Sequence, residues 1–134
     1  MKDFLIFNYS WVKNSTYMFE SLLKSGYTGD IVDERTLDSF VPKTRYSVVI
    51  VYLHERHQLA KINQIIDTYC SNSFLIQHDT TDHEHVQRWT TRRPDLIMQR
   101  ELTDETKNPW GCPAFPMHFP MPSLYDEKYQ NKSV

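Results

Sequence analysis

With 134 residues, 40% hydrophobic, 24% charged and 13% aromatic, the chain has the size and composition of one globular domain. Its 15 basic and 17 acidic side chains are interspersed and sum to −2, so there is no basic stripe of the kind that binds nucleic acid. The apolar runs are too short to cross a membrane, and the first of them follows an acidic residue rather than the basic stretch of a signal peptide.

Phe4-Leu5-Ile6-Phe7 has the pattern of a strand buried on both faces. A helix is expected from Asn14 or Ser15, either of which caps free N–H groups, and Tyr17, Met18, Leu22 and Leu23 recur at helical spacing. Lys24 and Gly26 supply its closing cation and its stop. Residues 29–33 read as a short strand, and Leu37-Asp38-Ser39-Phe40 as one helical turn ended by Pro42. The best strand is Tyr46–Leu53, β-branched and apolar enough for the centre of a parallel sheet.

Leu59, Ile62, Ile65, Ile66 and Tyr69 then mark one apolar helical face. Phe74-Leu75-Ile76 is the next strand, with a loop from His78. Thr81-Asp82-His83-Glu84 has the capping-box pattern, which predicts a helix carrying His85, Val86 and Trp89 and ending before Pro94. Asp95-Leu96-Ile97-Met98 is a further buried strand, and the charged stretch 102–108 is expected to form a helical turn. Three prolines within 113–121 restrict that stretch to an edge strand or ordered coil. Residues 1–122 thus form a single domain and 123–134 a polar tail.

Strands alternating with helices at βαβ spacing predict an α/β fold, a three-layer sandwich around a mainly parallel sheet, Rossmann-like or flavodoxin-like. Cys70 and Cys112 sit in no metal-ligand spacing and are expected as buried thiols of a cytoplasmic protein. Without a secretion signal, the sequons at Asn14 and Asn131 carry no weight.

Ligands of such sheets bind beyond the carboxyl ends of the strands. Ser10, Asn14, Ser15 and Thr16 would meet a phosphate at the first helix's N-terminus, whereas Tyr9 and Trp11 are expected in core or interface packing rather than stacked on a ligand ring. His54, His78, Asp79, Asp82 and Arg100 lie at the ends of later strands. The chain has only three glycines and no glycine-rich phosphate loop, so no cofactor is called for. No metal is expected either, because His83 and His85 are two residues apart and point to different faces of a helix. No nucleophile elbow surrounds a serine, and neither cysteine has a catalytic context.

The order of apolar strand, Gln77-His78-Asp79-Thr80-Thr81-Asp82, helix, Pro94-Asp95-Leu96-Ile97-Met98-Gln99-Arg100-Glu101-Leu102 and the proline-rich stretch to Pro122 resembles the N-terminal Rossmann-like domain of two-domain (GT-B) bacterial and phage-type glycosyltransferase-like proteins. The resemblance implies that a second domain, which this chain does not include, holds most of the nucleotide-sugar donor. The chain would then be an acceptor-side or accessory module for a sugar or nucleotide, with His78, Asp79 and Asp82 lining the cleft, and catalysis by it alone is not expected. Two further expectations stand beside it. One is a small flavodoxin-like cofactor binder using residues 10–16. The other is an interaction domain without catalysis, pairing copies of the chain through the proline-rich edge and Trp110, Phe115 and Phe119.

Overall fold

Six strands, β1 (Lys2–Phe7), β2 (Gly29–Val32), β3 (Tyr46–Leu53), β4 (Phe74–Asp79), β5 (Leu96–Gln99) and β6 (Ala114–Pro116), form one sheet. Every pairing is parallel and the order is β2-β1-β3-β4-β5-β6. The computed structural model describes residues 1–9, 13–53, 58–79, 85–99, 102–103 and 105–116, with the backbone alone at Lys13, Asn14 and Leu53. Among the described residues two helices flank the sheet, α1 (Lys13–Lys24) and α2 (Leu59–Tyr69), and a 3-10 turn at Leu37–Ser39 links β2 to β3.

The side-chain alternation of β1 divides the core between two faces. Phe4 and Ile6 join Ile50, Tyr52 and the α1 residues Met18, Phe19 and Leu22. Leu5 and Phe7 join Val49, Val51, Leu75 and the α2 residues Ile62, Ile65 and Ile66. Opposite faces follow from right-handed crossovers, since β1 leads to β2 on one side and β3 leads to β4 on the other. The three-layer α/β architecture expected from the sequence is therefore present.

The carboxyl ends of the two helices are closed in different ways, α1 locally and α2 by a distant side chain. Gly26 adopts φ 92°, and Tyr27 N–H donates to Leu22 O at 3.1 Å across it, closing α1 with a left-handed cap. Arg92 closes α2 from outside, its guanidinium donating to the carbonyls of Cys70 (3.2 Å), Ser71 (2.6 Å) and Ser73 (2.6 Å). Tyr69, expected on the buried face of α2, is 45% exposed.

Three expectations need correction. The helix predicted to run from the Thr81 capping box to Pro94 does not extend through its described part, because residues 85–95 are irregular. Several of their backbone groups are held by tertiary partners instead. Gln77 Nε2 donates to Gln87 O (2.7 Å), Asn63 Nδ2 to Trp89 O (3.0 Å), and Val86 N–H to Lys107 O (3.0 Å). Val86 and Trp89 also enter different apolar clusters, so their spacing reflects two burial sites and not one helical face. Among 102–103 and 105–108 there is a turn closed by Thr106 N–H on Thr103 O (3.1 Å) and no helix. Finally, β4 continues past Ile76 to Asp79, which makes His78 and Asp79 strand residues.

The proline-rich stretch contributes the edge strand β6, and its residues beyond Pro116 lie outside the described set. Cys70 and Cys112 are buried and unbridged, and burial pushes both thiols above their ordinary pKa. Among the described residues no helix is long and apolar enough to cross a membrane.

Candidate functional site

Strand order reverses between β1 and β3, the two strands from which the chain departs in opposite directions. In an open parallel sheet the connections leave a crevice there, outside the carboxyl ends. The last register rows of this sheet are unusually polar for its interior. Gln77 lies between Val51 and Ile97, His78 between Tyr52 and Met98, and Asp79 between Leu53 and Gln99. Gln77, Asp79 and Gln99 have no exposed surface and His78 has 1%.

The His78 ring stacks on Tyr52, with centroids 4.0 Å apart and planes 27° apart. Burial lowers the His78 pKa from its ordinary 6.5 to about 4, so the ring is neutral near pH 7. Burial likewise drives the Tyr52 phenol upward. His78 Nδ1 and Gln77 Oε1 are buried with no hydrogen-bond partner among the described residues. The Gln77 amide nitrogen holds the 85–95 segment through Gln87 O, which makes that residue a strut for the segment beside the site.

On the α1 side, Ser15 is fully buried and its hydroxyl donates to Asn8 Oδ1. That hydrogen bond ties the first turn of α1 to the residue that follows β1. Thr16 is partly buried on the same helix. Ser10, His54, Asp82 and Arg100 lie outside the described residues, as does the side chain of Asn14.

Of the named candidates, the structure therefore brings Ser15, His78 and Asp79 to one edge of the sheet. Asn8, Tyr52, Gln77 and Gln99, which were not among those candidates, join them there. Their signal was present as polar or hydroxylated residues closing otherwise apolar strands, as in Leu75-Ile76-Gln77 and Ile97-Met98-Gln99. Among the described residues no three His, Cys, Asp or Glu side chains cluster as metal ligands. His85 accepts the Lys107 N–H at Nδ1 (3.1 Å) and so serves the loop packing.

Two carboxylates at the amino edge, Asp30 and Asp3, have protein partners. Asp30 accepts hydrogen bonds from Lys2 Nζ (2.9 and 3.1 Å) and from the Tyr46 hydroxyl (2.6 Å). Asp3 Oδ2 accepts the Thr28 N–H (2.8 Å) and hydroxyl (3.1 Å). Fold and site thus define an open parallel α/β domain in which His78 Nδ1 and Gln77 Oε1, buried without a partner among the described residues, lie at the carboxyl edge. Compared with protein-family models, with curated proteins and with solved structures, the chain gives no significant match.

Proposed function

We propose that this domain is a binding module for a sugar or nucleotide sugar, held at the carboxyl edge of the sheet beside the β1/β3 reversal. The observation that carries the reading is His78, whose Nδ1 is buried at that edge with no partner among the described residues. A buried polar atom left unsatisfied costs about 1–3 kcal/mol, which a ligand hydrogen bond recovers. A neutral imidazole offers Nδ1 as donor or acceptor according to tautomer, and a sugar hydroxyl serves either role.

Two further features support a nucleotide sugar. The first turn of α1, which follows β1, contains no acidic residue that would repel a phosphate from that helix end. The resemblance of residues 73–122 to glycosyltransferase N-terminal domains names the same ligand class. The role assigned is binding, and no bond-making step is given to any residue.

Calorimetric titration with a nucleoside diphosphate sugar, its nucleotide and its free sugar tests the reading. Saturable binding is expected, weakened by about tenfold in His78→Phe, which keeps an aromatic ring on Tyr52 but removes the nitrogens. Absence of binding to any of the three by the native chain, or equal affinity in the variant, overturns it.

The strand order favours a second reading. Its first five strands follow the flavodoxin sequence, in which FMN sits at this same reversal. The stretch between β1 and α1 has no glycine to admit a phosphate to the backbone. Yellow protein, or saturable FMN binding that displaces the nucleotide sugar, would establish the flavin reading in place of the first.

A further inference from the structure

The amino edge of the sheet, opposite the proposed ligand site, carries two adjoining cavities of about 620 Å³ and 650 Å³. They share Ser47, Ser71, Asn72 and Ser73, and so form one continuous trough across the starts of β3 and β4. Four cationic side chains line it, Lys43 and Arg45 at one end and Arg92 and Arg93 at the other, against the single carboxylate of Asp95. The whole chain has a net charge of −2, so positive charge is concentrated here against the overall balance.

The cations divide by role. Arg92 is committed to the carbonyls at the end of α2 and stands 3.7 Å from Asp95, so it adds field more than contact. Lys43 and Arg45 are exposed, and among the described residues neither is held in an ion pair. Arg93 is exposed too, anchored by one nitrogen to Trp110 O at 2.9 Å. The trough also presents aromatic surface, with Tyr69 and Phe74 each 45% exposed.

We propose that this trough is a docking surface for an acidic segment of a partner protein, one that intersperses carboxylates with apolar or aromatic side chains. Arginine matches a carboxylate with paired N–H groups, and Lys43 acts as a point charge at the same end. Between the two cationic ends, Ser71 and Asn72 are exposed and suited to hydrogen-bond a polypeptide backbone. A nucleic acid is the weaker fit, because three outward cations neutralise few phosphates and this hydroxyl- and amide-bearing floor adds no cation between them. This surface lies at the other end of the strands from His78 and does not depend on the nucleotide-sugar reading.

The test uses a fluorescent synthetic peptide of glutamates interrupted by tyrosines, followed by anisotropy with the whole chain. Saturable binding is expected, weakening markedly between low and physiological salt and lost when glutamine replaces every glutamate. The double variant Lys43→Glu/Arg45→Glu, at exposed positions and checked for an unchanged melting temperature, should bind at least about tenfold more weakly. His78→Phe should bind the peptide as the native chain does. No saturable binding, equal binding by the double variant, loss in His78→Phe matching that in the double variant, or tighter binding of an oligonucleotide of equal charge would each overturn the proposal.

Discussion

The imidazole of His78 lies against the ring of Tyr52 at 4.0 Å, and the Tyr52 hydroxyl contacts Met18 Sδ at 3.1 Å on α1. One line of contacts thus runs from α1 through β3 to the last row but one of β4. Because Tyr52 and His78 are direct register partners, the sheet itself imposes the stack. The orientation of the His78 ring is therefore set by the sheet itself.

Protonating that ring should destabilise the fold. Its folded pKa, about 4, lies below the ordinary 6.5, so above pH 6.5 both folded and unfolded chains are neutral there and stability is full. As pH falls from 6.5 towards 4, the unfolded chain takes up a proton that the folded one excludes, and stability drops by at most about 3 kcal/mol. Urea unfolding at several pH values should show this drop in the native chain and a correspondingly shallower one in His78→Phe. Parallel pH profiles for the two would refute it.

At the other edge, Tyr46→Phe should cost about 1.5 kcal/mol by removing a hydrogen bond to a carboxylate. Burial alone would raise the Asp30 carboxyl, but the bonds from Tyr46 and Lys2 outweigh it and hold the pKa below its usual value. That contribution is present above the ordinary carboxylate range and fades as pH falls through the lowered folded value. An NMR titration of Asp30 should move upward in Tyr46→Phe, and an unmoved midpoint would show that the phenol contributes nothing to it.

Two glycines should respond to alanine for different reasons. At Gly29 a Cβ would overlap the ring of Phe4, a register partner buried to 3% exposure and packed edge-on against Phe19 of α1. Overpacking there should cost about 1–3 kcal/mol. At Gly26 a Cβ meets nothing within 4 Å, but φ is 92°, so alanine pays about 1 kcal/mol in backbone strain. Combining Gly29→Ala with Phe4→Leu should recover part of the first loss and none of the second, as thermal melts would show.

Arg92→Ala should destabilise by about 2 kcal/mol, since it removes the donors that satisfy three carbonyls beyond α2. Arg92→Lys should restore less than half, because an ammonium cannot reproduce the planar fork. Hydrogen exchange at the last turn of α2 is the direct readout. Full rescue by lysine would mean that charge at the helix end matters and geometry does not.

Much of this protein was legible in its residues alone. Continuous apolar runs marked the central strands, a periodic face marked α2, and Lys24 with Gly26 marked the end of α1, because each signal is set by the geometry of a few consecutive residues. The parallel α/β class followed from their alternation. What failed was the Thr81 capping box as the start of a helix reaching Pro94. Its described part is irregular, with its backbone groups held by Gln77, Asn63 and Lys107 from elsewhere in the chain, partners that no local window contains.

The site was legible only in part, for the same reason. Ser15, His78 and Asp79 were named from the sequence. Whether His78 stood in a loop or in a buried strand against Tyr52 depended on strand register. Register joins residues far apart in the chain, so only the folded sheet could decide it.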